Sequence, residues 1–399
     1  MDVSIHPFPM NHGKYVLSQV MEFVPWHWFD QCVKRYDGHY KVRRLRCWDQ
    51  FLALSFGQLA YRESLRDVVA CLNSHKEKHY HLGLRCTPVR STLALANEKR
   101  DWRIYRDLAE LLIQEARRLY VDDTGFKLEL DGSVYAIDST TIDLCLTIFP
   151  WAPFRKTKAA VKLHASLDLQ GNIPAFFHIS EGNVHDVHFL DLLTLEPGAY
   201  YVMDRGYLDF KRLCVIDRSG AFFVTRAKSN MACQRMYSRP VDKSKGLRCD
   251  QVIRLTSHKS SLMYPDRLRR ISYVDETTGN RYVFLTNNFD VSALTIAELY
   301  KHRWQIELFF KWIKQHLKIK CFWGYSQNAV KTQICIAICA YLVVAIMKKK
   351  LKIDRHLYEM LQILSVSLFD RKPLTKLFSE ADLHAQDDPH QKQANLWEF

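Results

Sequence analysis

The segment Y-K-H-R-W-Q-I-E-L-F-F-K-W-I-K, residues 300–314, sets four different polar groups at helical spacing. At about 100° per residue, Tyr300, Arg303, Glu307 and Lys314 fall within about 60° of one another on one helix face. A phenol, a guanidinium, a carboxylate and an ammonium so arranged could be a metal ligand flanked by phosphate-binding donors. A solvated face with an i,i+4 Arg–Glu pair has the same spacing. Two more carboxylates close apolar runs, Asp138 after S-V-Y-A-I and Asp204 after A-Y-Y-V-M. Two strand-end Asp and one helix Glu can hold two divalent cations about 4 Å apart around a scissile phosphate. Turn formation is the plainer role for a lone strand-end Asp. Asp143 and Asp168 are rival carboxylates, and Asp168 precedes the turn-like Q-G-N.

The elements that must position these groups follow from hydrophobic period. Residues 14–120 read as mostly helical, with Ser64 capping S-L-R-D-V-V-A-C-L and a short helix starting near Thr87-Pro88. The latter carries Arg90, Ser91, Thr92, Asn97, Lys99 and Arg100 as a polar face, either DNA-reading or simply solvated. From about 125 the texture turns to strands: 133–137, 141–148, 161–169, 174–180, 199–203 and 221–227. Helices are expected at 186–193 and 209–217. That order is an α/β pattern with a mixed sheet. Residues 228–290, rich in Lys, Arg and Ser, read as a β-rich insertion that ends in a hairpin around Thr278-Gly279-Asn280. A long helix is expected from about Ile296 to Ile319, a buried one near 328–350, and one or two more to about 378. The tail from Ala385 to Gln393 is polar, which predicts mobility.

Composition bounds the partner. The chain has 399 residues, 48% hydrophobic, with a formal net charge of +14, so it is long enough for two or three folded domains and basic enough for a polyanion. The charge is uneven: residues 126–204 hold ten acidic and five basic side chains, while the flanking regions are net positive. Carboxylates in the middle and Lys/Arg around them suit a metal-dependent nuclease. The most apolar run, Ile334 to Met347, is shorter than the about 20 residues of a span and reads as a buried helix. No signal peptide is expected from Met1–Met10. Eleven Cys without C-x-x-C fit a reducing cytosol, and His75, His79 and His81 fit a solvated polar segment better than a zinc site.

A-I-D-S-T around Asp138, V-M-D-R-G-Y around Asp204, and Y-x2-R-x3-E-x6-K resemble the DDE transposases of bacterial insertion sequences. The group most alike is the one named after insertion sequence four and defined by its Y-R-E-K signature. The resemblance covers about 130–320. It implies an RNase H-like mixed sheet interrupted by a β-rich insertion, with a helical N-terminal DNA-binding domain (1–125) and a catalytic domain (126–320, insertion about 228–290). A helical C-terminal region (321–380) and a polar tail (381–399) would follow.

By that resemblance Asp138, Asp204 and Glu307 are the catalytic triad and hold two Mg²⁺, with Mn²⁺ able to substitute. Lys314 and Tyr300 touch phosphates, and Arg303 the backbone near a flipped base. The chemistry implied is cut-and-paste transposition: hydrolysis at each terminal inverted repeat, hairpin formation and reopening, then strand transfer into target DNA. Relatives with this mechanism often place a Trp before a V-F-L-T-like strand; here the position is Tyr282, a candidate stacking platform. Trp304, Arg90 and Arg100 are further candidate DNA contacts. The partners implied are double-stranded DNA and a second copy in a synaptic homodimer, without a membrane, at a bacterial nucleoid in the cytoplasm. The competing readings are a regulator derived from a transposase with a dead site, and an RNase H-like nuclease that cuts without joining.

Overall fold

The computed structural model describes residues 13–121, 128, 130–275, 278–316 and 322–385. Among them, two compact units divide the chain: one within Met1–Leu112, His316–Gly324 and Asn328–Phe399, the other within Ile113–Gln315 and Tyr325–Gln327.

The N-terminal part is helical. It runs through α1 (Val16–Met21), α2 (Trp26–Arg35), α3 (Cys47–Leu59), α4 (Leu65–Asn73), α5 (His79–Leu82), α6 (Arg90–Lys99) and α7 (Arg103–Tyr120). The Ser64 cap forms as its sequence predicts, its Oγ accepting from the Asp67 amide at 3.1 Å. In α7, Ile104, Leu108, Leu112 and Ala116 recur at helical spacing and are buried.

The second unit is built on one ten-stranded sheet. Its strands are β1 (Val134–Leu144), β2 (Pro153–Arg155), β3 (Lys158–Asp168), β4 (Ile173–Glu181), β5 (Tyr200–Met203), β6 (Phe222–Arg226), β7 (Cys233–Arg239), β8 (Leu247–Leu255), β9 (Leu268–Val274) and β10 (Arg281–Thr286). The order is β2-β3-β1-β5-β6-β10-β9-β8-β7, with β4 also paired to β3. β1, β3 and β4 run antiparallel, whereas β5 and β6 run parallel to β1. This is the RNase H-like mixed sheet. The Y-Y-V-M of β5 is buried throughout, as a central strand covered on both faces must be. Residues 228–290 are β-rich and extend the sheet beyond β6 through β10. The β9–β10 hairpin turns at Gly279, whose φ of +68° a residue with a Cβ adopts at a cost.

Two elements differ from their sequence expectations. β1 is continuous through Asp138, not two strands, because β5 flanks only its first half. From Asp138 on, β1 pairs with β3 alone, and its polar D-S-T-T stretch is tolerated. Asp186–Leu192, expected as a helix, is helical in the tighter 3-10 form. The long helix is two, α10 (Ala293–His302) and α11 (Trp304–His316), separated at Arg303, whose amide bonds the Tyr300 carbonyl three residues back. α8 (Phe210–Arg218) and α9 (His258–Met263) complete this unit. The expected end at Ile319 lies outside the described residues, as does most of the expected tail.

α12 (Gln327–Lys350), α13 (Leu357–Ser367) and α14 (Leu374–Ala385) belong to the first unit. α12 is long and apolar enough to cross a membrane, yet 94% of its most apolar window is buried inside the protein. Cys335 and Cys339 are buried on it, and all described cysteines are free.

The parallel register is set before the strands begin. The Tyr200 amide bonds the Ser133 carbonyl and the Gly198 amide bonds that of Gly220, each at 2.8 Å. Here Gly132 passes so near Gly198 that a Cβ would stand 2.1 Å from the Gly198 carbonyl oxygen. Gly132→Ala is therefore expected to destabilise by about 1–3 kcal/mol, the usual cost of overpacking, in a denaturant titration. An unchanged midpoint would refute the close approach.

Candidate active site

The two aspartates meet because of that register. Parallel pairing of β1 with β5 ends at Ile137↔Met203. The next residues are Asp138 and Asp204, and Asp204 keeps an extended backbone (φ −76°, ψ 168°). With side chains alternating across the sheet, both carboxylates emerge on the same face, just past the parallel-paired segment, Asp204 after the end of β5 and Asp138 midway along β1.

The helix pair supplies the rest. Ser292 caps α10, its Oγ accepting from the Thr295 amide at 3.0 Å. The loop before it is held by Arg269, 2% exposed, which pairs with Asp250 at 2.8 Å and donates to the Val291 carbonyl at 2.6 Å. The β-rich extension thus anchors the entry to α10. From α10 the Tyr300 hydroxyl donates to Asp204 Oδ1 at 2.9 Å. At the break, Arg303 donates from Nη1 to Asp138 Oδ2 at 3.2 Å and from Nη2 to Glu307 Oε1 at 2.6 Å. Arg303 is itself nearly buried, and its Nε has no partner. One guanidinium therefore ties the sheet carboxylate to the helix carboxylate.

The electrostatics express this crowding. Burial, aided by the negative charges of Glu307 and Asp204, pushes the Asp138 carboxyl up to about 6 against the Ser139 amide and Arg303. Burial also pushes Asp204 up, but the Arg205 amide, the Tyr300 hydroxyl, Arg303 and Arg226 outweigh it and leave it below the usual range. Burial raises the Tyr300 phenol to about 12, keeping it a donor.

Two groups around the site carry no signal in the motifs. Arg226, at the end of β6, lies 3.9 Å from Asp204 and over the Tyr282 ring at 5.7 Å. A basic residue closing the strand beside β5 was the available clue. On the other side, Ser139 Oγ donates to Asp186 at 2.8 Å, and Lys162 pairs with the same oxygen at 2.9 Å. That network backs the strand at Asp138, and nothing in its spacing reveals it.

The remaining candidates are dispersed. Tyr282 stacks on Phe284 at 6.0 Å, and Phe284 packs on Tyr300 at 4.9 Å, so Tyr282 does adjoin the site. Lys314 lies two turns beyond Glu307 on α11, and Trp304, 42% exposed, opens that helix. Arg90 stands exposed at the start of α6. Arg100 does not stand free for DNA: its guanidinium bonds the Leu45 and Arg46 carbonyls and Gln50. Asp168 caps the Gln170 amide and pairs with Arg117, a turn role, and Asp143 is exposed. His79 is buried on the Leu72 carbonyl rather than solvated.

Among the described residues, no three His, Cys, Asp or Glu side chains stand close enough to hold a metal ion. Asp138, Asp204 and Glu307 share one electrostatic neighbourhood, but Arg303 sits between two of them. In donor type, though not in spacing, the set suits a hard divalent cation, because it is all carboxylate oxygen and its mutual repulsion calls for positive charge.

Comparison with known proteins identifies the family. Residues 129–343, over half the chain, match the transposase DDE domain family. The chain belongs to the DDE transposases. A Sinorhizobium fredii protein named as a transposase is 32% identical over 73% of this transposase and 80% of its own length. A Geobacillus stearothermophilus protein named as the transposase of insertion sequence element IS5377 is 29% identical, over 63% of this chain and 66% of its own. A Synechocystis protein named as the transposase of element IS4SA is 28% identical, over 64% and 71% respectively. Residues 12–85 of the transposase match a domain of unknown function.

Without metal, Arg303 of the transposase balances two carboxylates, both partly open to solvent. Arg303→Ala should lower its stability by about 1–3 kcal/mol, since a partly buried carboxylate loses its partner. Urea unfolding in EDTA measures this, and an unchanged stability would show that Arg303 is dispensable there.

Proposed function

We propose that this transposase binds the terminal inverted repeats of an insertion sequence and moves it by cut-and-paste cleavage and strand transfer. The observation that carries the reading is the adjacency of Asp138 and Asp204, with Glu307 brought to them through Arg303. Asp138, Asp204 and Glu307 would hold Mg²⁺, for which Mn²⁺ can substitute. When bound, the cations activate water or a 3′-OH and stabilise charge on the leaving oxygen.

The chain's own residues do the positioning. Tyr300 fixes the Asp204 carboxylate by its hydrogen bond, and Arg303 holds Asp138 and Glu307 in reach of one another. Once phosphate enters, both donors, with Lys314 and Trp304, are placed to grip the DNA strand. Tyr282, stacked on Phe284, would take a base extruded during hairpin formation in place of the Arg226 guanidinium now over its ring. In this reading residues 1–125, through contacts such as Arg90, and the basic insertion recognise the ends, and residues 321–380 carry a dimer contact in the synaptic complex. The place of action in this reading is the nucleoid, and the spacing of Tyr300, Arg303, Glu307 and Lys314 supports assigning the chain to the insertion-sequence-four group.

The test is cleavage of a duplex bearing the element's end, with Mg²⁺ and with EDTA, by wild type and by Asp138→Ala, Asp204→Ala and Glu307→Ala. Each variant, and EDTA, should abolish cutting. Near wild-type cutting by any one variant removes that residue from the site. A regulator would neither cut nor join, and a simple nuclease would cut without joining. On the same gels Tyr282→Ala should keep the first nick and lose hairpin product; an undiminished hairpin yield rules out the stacking role.

A further inference from the structure

The segment matched to a domain of unknown function carries a groove of about 700 Å³ lined by Trp26, Trp48, Lys76, Tyr80, Arg85 and Cys86. Its aromatic wall is packed ring on ring. Trp26 meets Trp48 edge-on at 5.2 Å, and both rest on Phe29, at 5.9 and 5.2 Å, which is 1% exposed. Yet Trp26 is 53% exposed and Tyr80 86% exposed. Two large rings left in water beside one groove are unlike scattered surface apolar residues, which need no explanation.

A basic loop is fastened to the same groove. The fully buried Asp49 accepts from the Arg46 amide and the Arg85 amide, each at 2.9 Å, and so pins two chain segments together. From the other side Arg100 bonds the Leu45 and Arg46 carbonyls. This fixes the loop Lys41–Arg46 next to Arg85 with Lys41, Arg43, Arg44, Arg46 and Arg85 all exposed and no acidic residue within the loop. Of the nearby acids, Asp49 is engaged by those amides and Asp30 by Lys34 at 2.7 Å, while Asp37, ahead of the loop, is exposed. The positive field reaches His39, which burial first and then Arg100 and Arg46 push below the usual histidine range, Asp30 opposing and Arg85 adding to it. Exposed rings in a groove that Lys76 and Arg85 also line, with the basic loop held to Arg85, are the pairing that holds nucleic acid, phosphates on the charges and unpaired bases on the rings.

We propose that this surface is a DNA site, in which Arg43, Arg44, Arg46 and Arg85 take successive phosphates and an unpaired base of the same strand enters the groove against Trp26 and Tyr80. It rests on the reading of the chain as a DNA-acting transposase and gives the domain of unknown function a task. Arg100, expected to touch DNA itself, instead shapes the loop that does.

The test uses the full-length protein in EDTA, where it binds but cannot cut, and fluorescence anisotropy with two labelled probes. One is a blunt mixed-sequence duplex, and the other is the same duplex with a single-stranded overhang. Because phosphate contacts are independent of sequence, the inverted repeats are not needed. Arg43→Ala/Arg44→Ala should make the slope of log affinity against log salt shallower by about 1.8 on both probes, at about 0.9 per lost phosphate. Trp26→Ala should weaken the overhang probe by roughly tenfold, the usual loss of one stacked base, and leave the blunt probe unaffected. Tyr80→Ser, at a position too exposed to disturb folding, should act in the same direction. A wild-type salt slope in the Arg double variant, equal loss on both probes with Trp26→Ala and none with Tyr80→Ser, or tighter binding to RNA of the same sequence overturns the site. Cutting with Mg²⁺ separates this from the catalytic reading. A wild type that cuts while the variants bind normally sinks the groove alone, and a wild type that shows these binding effects but never cuts sinks the catalytic reading alone.

Discussion

The site depends on one strand register. Parallel pairing that stops at Ile137↔Met203 leaves Asp138 and Asp204 as the first residues past the paired segment, on the same face. A shift of one residue in either strand would turn one carboxylate into the hydrophobic layer formed by Ile137 and Met203, where an ionised group is expensive. The register is fixed far from the chemistry, by the Ser133–Tyr200 and Gly198–Gly220 backbone bonds and the tight passage of Gly132. The geometry of the candidate site is thus inherited from backbone packing at the opposite end of the paired segment.

A second constraint is charge balance. Three carboxylates brought together must meet positive charge, and here it comes from the helix that also brings the third acid. The break at Arg303 is part of this arrangement. An unbroken α-helix would place Tyr300, Arg303 and Glu307 along one face, as their spacing suggests. In the folded protein the tightened turn between α10 and α11 sends Tyr300 to Asp204 while Arg303 reaches Asp138 and Glu307. The β-rich extension contributes through Arg269, a buried cation whose bonds to Asp250 and Val291 lock the entrance to α10. Such a pair adds little net stability compared with apolar packing, so its value here lies in direction, not strength.

Polar side chains serve structure and function by the same bonds. Arg100, Asp49 and Arg269 are engaged inside the protein rather than with solvent, and each holds a loop whose neighbours remain exposed. In both units the exposed reactive or basic groups stand on segments clamped from beneath by a charged side chain. That is how a loop or a helix end is kept rigid enough to bind without being buried.

The sequence by itself determined the local pieces. The apolar runs of β5 and β6, the capping serine before α4, the Gly279 turn and the α12 core helix follow from periodicity and turn chemistry. The residues Asp138, Asp204, Tyr300, Arg303 and Glu307 stand out by type and spacing. What only the tertiary structure decided was partnership. The continuity of β1 through its polar middle depends on which side β5 covers. The helix break at Arg303 coincides with one guanidinium shared by two carboxylates, and Arg226, Asp186 and Lys162 enter only through strand neighbours distant in sequence. Arg100 reads as a surface contact because spacing cannot show a carbonyl waiting 55 residues away. Local pattern encodes which face a residue takes, but long-range hydrogen bonds and charge neutralisation choose what that face meets.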